Sequence, residues 1–275
     1  MKTWFITGAS SGLGRQLAET VLKYGDQCVL TARQPEQLAD LLTLYSHLAI
    51  ALPLDVTNQS QIDAALATAR EKFGAVDVLV NNAGYGLLAA LEETDDARLE
   101  KNLQTNLVGP LRLMRAAIPL FREQKHGHII NISAAAAISN YAGFAIYGAA
   151  KAGLEAASEA VAAECAPFGI KVTLVVPGPF RTDFISRSLD VPPRLPEYAA
   201  TVGKFETILQ RMNGKQPGDP QKAAEAIYRI AGVEKPPLRL VLGKYAHDKV
   251  AKKIKAQNDE LAAWQSVGLP TDFTA

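Results

Sequence analysis

Seven short, nearly uninterrupted apolar runs recur along this 275-residue chain, each separated from the next by a longer amphipathic segment, and this alternation narrows the possible folds most. The runs are TWFIT, QCVLTA, LAIALPLD, VDVLVNNAG, HIINIS, KVTLVV and LRLVLG. Strands that are apolar at every position, rather than at every second one, are covered on both faces. The segments between them, at 13–24, 36–45, 59–73, 96–123, 148–166 and 220–232, are long enough for the crossover helices that parallel neighbours require. An α/β fold follows: a doubly wound, seven-stranded parallel sheet with helices on both faces. At 48% hydrophobic composition, one domain over 1–275 is the expectation. Asn58, Thr94 and Asp95 stand where helix starts are expected, and Gly169 where the alanine-rich helix stops.

The bulk chemistry excludes several roles. With 29 basic and 28 acidic residues there is no global field to draw nucleic acid or an anionic membrane, so any anion must be held locally. The two cysteines, Cys28 and Cys165, lie far apart without metal-ligand spacing and read as reduced core thiols. No apolar run reaches the roughly 18 residues of a membrane span. The N-terminal MKTWFITG enters a core strand at once, leaving no room for a secretion signal. A soluble, cytoplasmic protein is expected.

The first run ends in TGASSGLG, residues 7–14, and opens the helical pattern RQLAETVLKYG. Glycines here let the chain turn tightly and bring backbone amides close to a pyrophosphate, whose charge is favoured at a helix N-terminus. Gly8, Ser10, Ser11, Gly12, Leu13 and Gly14 therefore form a candidate dinucleotide cradle, the alternative being a plain tight turn. About 20 residues further on an acid would normally bind the adenosine ribose. The second run ends instead in Ala32 and Arg33, and Asp26 precedes it as a turn residue. A guanidinium without a neighbouring carboxylate suits a 2′-phosphate, so NADP(H) is the expected cofactor.

Further motifs follow in order: LDV at 54–56, NNAG at 81–84, Asn106, Tyr147 with Lys151, and PGPFRT at 177–182. The series resembles the classical short-chain dehydrogenases/reductases over nearly the whole chain. That resemblance implies a Rossmann-like single domain moving hydride, on the pro-S side, between a nicotinamide and a carbonyl or alcohol. It implies that Asp55 and Val56 hold the adenine, that Asn82, Ala83 and Gly84 line the cofactor, and that Pro177, Gly178 and Thr182 meet its carboxamide. From PGPFRTDF through GKQPGDP to PPLRLVLG, the chain is most similar to the branch of 17β-hydroxysteroid- and retinol-dehydrogenase-like proteins.

Four residues apart on a helix, Tyr147 and Lys151 share one face. The lysine cation, joined by the charge of the oxidised nicotinamide, would favour the phenolate and lower the tyrosine pKa. Tyr147 is then the general acid in reduction and the general base in oxidation, with Lys151 also orienting the nicotinamide ribose. A second copy of the spacing, Tyr245 and Lys249 in YAHDK, reads as a solvated face of a charged C-terminal helix. Asn106 sits shortly before Gly109 and Pro110, which predicts a local break in the helix. By the resemblance, it holds a water connecting the lysine to solvent.

One motif is incomplete. The family's catalytic serine stands 13 positions before the tyrosine, and here that position is Ala134. Its donor to the substrate oxygen is typically worth about 10²–10³ in rate. Ser133 is one residue off and faces the other side of the strand unless the chain twists at its end. Ser133, a water, Ser139, Asn140 and Tyr141 are the candidate replacements. If none serves, the chain is a weakly active or non-catalytic NADP(H)-binding protein.

The long segment 179–219, with VPPRLP inside it, is expected to be a substrate lid carrying a helix near 197–212. With Phe144, Phe180, Phe184 and Ile185 it would wall a pocket for an apolar ketone, aldehyde or alcohol. The apolar faces of 96–123 and 148–166 suit either burial or a homodimer or homotetramer interface.

Overall fold

The computed structural model describes residues 1–273. Its strands are β1 (Thr3–Thr7), β2 (Gln27–Ala32), β3 (Ala49–Pro53), β4 (Val78–Asn81), β5 (Gly86–Leu87), β6 (Gly127–Ile132), β7 (Ile170–Pro177), β8 (Leu189–Asp190) and β9 (Arg239–Leu242). Seven of them form one parallel sheet in the order β3-β2-β1-β4-β6-β7-β9, and β5 pairs with β8. All seven apolar runs thus become the main sheet. Alternate side chains enter opposite layers. Trp4, Ile6, Val78, Val80, Ile130 and Ile132 face one core, and Phe5, Leu79 and Ile129 face the other.

The helices are α1 (Gly12–Lys23), α2 (Ala39–Leu44), α3 (Gln59–Phe73), α4 (Asp96–Leu103), α5 (Gly109–Gln124), α6 (Ala135–Ile138), α7 (Ala145–Cys165), α8 (Phe184–Arg187), α9 (Lys204–Met212), α10 (Pro220–Ile230) and α11 (Lys244–Gly268). Leu17, Val21, Leu38, Leu41, Ala224 and Ile227 cover the first face of the sheet; Ile62, Leu66, Leu113, Phe121 and Leu154 cover the second. Cys28 and Cys165 are free and buried, one in each layer. Asn58 and Asp95 cap α3 and α4 by accepting from backbone N–H groups. The local break expected within the helical segment 96–123 is present: Gln104–Val108 is a wide π-type turn between α4 and α5.

Chain order reverses between β1 and β4, so loops leaving those strands diverge and open a crevice at their carboxyl ends. The segment 179–219 reaches over that crevice. It contains α8, β8, the turn Ala199–Gly203 and α9. It is strapped down: Glu93 accepts from Arg194 and from the Leu195 backbone N–H at 2.8 Å, and Tyr198 donates to Glu92 at 2.5 Å. Among the described residues no helix is long and apolar enough to cross a membrane.

Candidate active site

The crevice is a cleft of about 830 Å³, and every predicted site residue named above lines it except Gly14 and two of the candidate replacement donors, Ser139 and Asn140. Gly14 acts from behind. A Cβ there would stand 2.4 Å from the Gly8 carbonyl and 2.3 Å from Asn82 Nδ2, so only glycine lets α1 start this close to β1. Gly8 and Gly12 both have positive φ, at 66° and 56°. Ser11 precedes α1 without a side-chain cap, leaving the first backbone N–H groups of the helix, at the rim of the crevice, without a capping partner. Asn82 braces the turn by donating to the Thr7 carbonyl at 2.9 Å and the Gly8 carbonyl at 3.1 Å. Asn82 and Ala83 donate in turn from their backbones to the Thr7 hydroxyl. An anion fits this corner.

Arg33 is exposed just past the end of β2, beside Asp55. Burial opposes ionisation of Asp55, but hydrogen bonds from Thr57 and the charges of Arg33 and Lys101 outweigh it and hold the carboxyl below its ordinary range. Lys101 and Thr105 also line this end, and the sequence reading missed both. They stand four apart on the helical run that holds Asn106, a spacing that could have flagged them.

Asn106 is fully buried in the wide turn. It donates to the carbonyls of Tyr85, at 2.9 Å, and Asn102, at 3.1 Å, and accepts from the Tyr85 N–H at 3.3 Å. Turns of this type concentrate at functional sites because they release backbone groups from the helical ladder. Gly84 lies between Asn106 and Lys151: a Cβ on it would be 2.5 Å from Asn106 Oδ1 and 3.6 Å from Lys151 Nζ.

Tyr147 and Lys151 are both buried on α7, and Lys151 Nζ donates to the Ile132 carbonyl at 2.8 Å. Their protonation differs from the sequence expectation. Burial pushes the Tyr147 phenol well above its ordinary range, and burial pushes Lys151 down to about 8. In the protein itself, then, desolvation outweighs any help the lysine gives the phenolate.

Ser133 lines the cleft, but its hydroxyl is engaged on the other side. Its hydroxyl donates to Glu155 at 2.7 Å, and Glu155 also accepts from Arg239 at 2.8 Å. Ser133, the residue just past β6, serves this buried pair, while Ala134 packs against the cluster containing Tyr147. Among the other candidate replacements, Asn140 is committed to the Phe144 carbonyl and the Tyr141 N–H. Ser139 does not line the cleft; Tyr141 does.

Tyr245 and Lys249 require a correction. Their copy of the motif is not a plain solvated face: the Tyr245 hydroxyl meets that of Tyr141 at 2.7 Å, and Lys249 Nζ lies 3.5 Å from the centre of the Tyr141 ring. Tyr245 also lines the cleft. Aromatic groups build the remaining wall. Phe144 meets Tyr147 and Phe205 edge-on, and the Phe184 ring centre lies 6.1 Å from that of Tyr147. Phe205, Ile208, Leu209 and Met212 were missed individually, although their i, i+3, i+4, i+7 spacing marks one face of the lid helix.

The glycine cradle and the buried Tyr147 and Lys151 thus share one cleft. The family model described as short chain dehydrogenase matches residues 2–190. The chain is a short-chain dehydrogenase. An oxidoreductase of Botryotinia fuckeliana, BOA17, is 37% identical over 98% of each chain. A 3-ketodihydrosphingosine reductase of Bacteroides thetaiotaomicron is 33% identical over 90% of each. A short-chain dehydrogenase from Streptomyces avermitilis superposes with a TM-score of 0.93 at 43% identity, covering 99% of this chain and 100% of its own. A metagenomic short-chain oxidoreductase, solved in complex with NADP, has a TM-score of 0.70 at 26% identity, covering 88% of this chain and 96% of its own. This short-chain dehydrogenase is accordingly an oxidoreductase with the family's Rossmann-like sheet.

Proposed function

We propose that this short-chain dehydrogenase is an NADP(H)-dependent carbonyl reductase or alcohol dehydrogenase, moving hydride between the nicotinamide and an apolar ketone, aldehyde or secondary alcohol. The observation that carries this reading is the single cleft into which the glycine cradle, Tyr147 and an aromatic wall all face. The residues present fit the dinucleotide: free backbone donors at α1 for the pyrophosphate, Arg33 for a 2′-phosphate, and Asp55 and Val56 for the adenine. The NADP complex of the metagenomic relative supports the cofactor, and the keto compound in the Bacteroides relative's name supports the reaction type. An apolar wall also suits the 17β-hydroxysteroid- and retinol-dehydrogenase-like branch.

Held by the α1 cradle and Lys151, a reduced nicotinamide would supply the hydride that a carbonyl carbon accepts. Tyr147 donates its proton to the carbonyl oxygen, so that an alcohol forms and a phenolate is left beside Lys151. Lys151, oriented by the Ile132 carbonyl, stabilises that phenolate and holds the ribose. Asn106 fixes the backbone at Tyr85 and opens the helix for the proton's return from solvent. Burial keeps the Tyr147 phenol protonated near neutral pH, the form that acts as general acid in carbonyl reduction. We further place the protein in the cytoplasm as a homodimer or homotetramer joined through α4, α5 and α7.

The test is NADPH oxidation over a panel of apolar ketones and aldehydes, with the NADH KM expected at least roughly tenfold above that for NADPH. A preference for NADH removes Arg33 from its role. Tight NADPH binding with no turnover on any carbonyl favours the second reading, a weakly active NADP(H)-binding protein, which Ala134 beside Tyr147 motivates.

A further inference from the structure

Gln216, in the loop between α9 and α10, is 1% exposed. Its backbone is fixed: its carbonyl accepts two N–H groups of the Arg181 guanidinium, at 3.2 and 3.3 Å, and Gly218 two residues on bridges to Phe180. Its side chain is not. Both Oε1 and Nε2 are shut from solvent with no hydrogen-bond partner among the described residues, and the residue lines the same cleft as Tyr147 and Thr182. Asn82 and Asn106, the other side-chain amides in the cleft, have backbone partners instead. A buried amide whose donor and acceptor are both unmet is less favourable than an apolar side chain of the same shape. No side chain or backbone group among the described residues meets it.

We propose that Gln216 is a ligand-recognition residue, its carboxamide taking a neutral group that donates and accepts hydrogen bonds together. A carboxylate offers only acceptors, an ammonium only donors and a hydrocarbon neither, so each leaves one amide atom unmet. A hydroxyl or another carboxamide satisfies both. Two bound molecules can bring that chemistry: a carbonyl substrate bearing a second, hydroxyl oxygen, or the nicotinamide through its carboxamide, since Arg181, which holds Gln216, adjoins Thr182. The identity of these molecules rests on the oxidoreductase reading.

The test compares the full-length protein with Gln216→Met, which keeps the length and removes the amide. Three quantities are measured: ligand-free Tm, NADPH affinity by fluorescence, and the rise in Tm produced by a hydroxyketone and by the plain ketone of the same skeleton, each with NADPH present. Ligand-free Tm should hold or rise, because an unmet amide has gone. Binding should weaken roughly tenfold for one ligand. A loss on NADPH assigns the partner to the cofactor. A greater loss on the hydroxyketone than on the plain ketone, with NADPH affinity kept, assigns it to the substrate. Unchanged binding of both overturns the proposal, whether Tm holds or falls; a fall would give the amide a structural partner such as a buried water. Should Gln216→Met fail to fold, Gln216→Asn, which withdraws the amide by one methylene, must show the same loss. If the parent reduces no carbonyl, the oxidoreductase reading fails while these binding measurements still judge Gln216.

Discussion

Two Tyr-x-x-x-Lys pairs sit on helices that border the same cleft, yet their surroundings give them different chemistry. Tyr147 and Lys151 are 6% and 5% exposed, and burial moves both pKa values toward the neutral form. Tyr245 is 42% exposed and shares its hydroxyl with Tyr141, while Lys249 rests on the Tyr141 ring. The spacing brings two side chains to one helix face; what they can do there depends on desolvation and on the third group each meets. The first pair faces the Ile132 carbonyl and Gly84. The second ties the C-terminal helix to the loop before α7.

The hardest test of this contrast removes one hydroxyl from each pair. Tyr147→Phe should lower carbonyl reduction by about 10²–10⁴, the usual worth of a positioned proton donor, with NADPH affinity little changed. Tyr245→Phe should stay within about tenfold of the parent, because it loses one hydrogen bond at the cleft's edge. Equal losses in the two variants, read from kcat/KM on one ketone, would erase the distinction.

How far the sequence foretold this arrangement depended on the distance over which each interaction acts. The seven strands were readable because burial on both faces leaves a local apolar mark, and the cradle because Gly8 and Gly12 need positive φ. Asn106 announced its irregular turn through Gly109 and Pro110. The Tyr141–Tyr245 contact joins residues 104 apart, and no local pattern records it. Gln216 sits among glycines and prolines at the end of the expected lid, where no local pattern marks a buried side chain, and only the lid's return over the sheet buries it. Ser133 was ambiguous because its direction turned on how the chain leaves β6, and the Glu155 carboxylate that takes its hydroxyl lies 22 residues away on α7, beyond any local pattern.

A smaller effect is expected at the position beside Tyr147. Ala134→Ser restores a hydroxyl to the cluster containing the phenol and should raise carbonyl reduction by roughly tenfold or more, part of what such a donor is typically worth. Ser133→Ala should instead leave the reaction rate within a few-fold and lower stability, because it deprives buried Glu155 of a donor. If Ser133→Ala cripples turnover while Tm holds, its hydroxyl must rotate toward substrate in the working enzyme. If Ala134→Ser changes nothing, a group already in the cleft, with Tyr141 first among the candidates, supplies the missing donor.

The lysines give the finest comparison, through stability rather than rate. Lys151 releases its proton at about 8 in the folded chain, against an ordinary 10.5. Between those values the unfolded chain binds more protons, so the Lys151 contribution to stability rises with pH; below about 8 the burial penalty is fully present. Lys151→Met removes that penalty along with the bond to Ile132. The Tm of the variant minus that of the parent should therefore be most favourable to the variant at pH 7 and should shift toward the parent as pH rises to 10.5. Burial, followed by repulsion from Lys252, also lowers the Lys249 pKa, but its ammonium is partly solvated. Lys249→Met should cost only about 0.5–1 kcal/mol, the worth of a cation on an aromatic face near solvent, with a shallower pH dependence. Matching pH profiles for the two variants would mean that the pairs share one electrostatic environment, contrary to the burial that separates them.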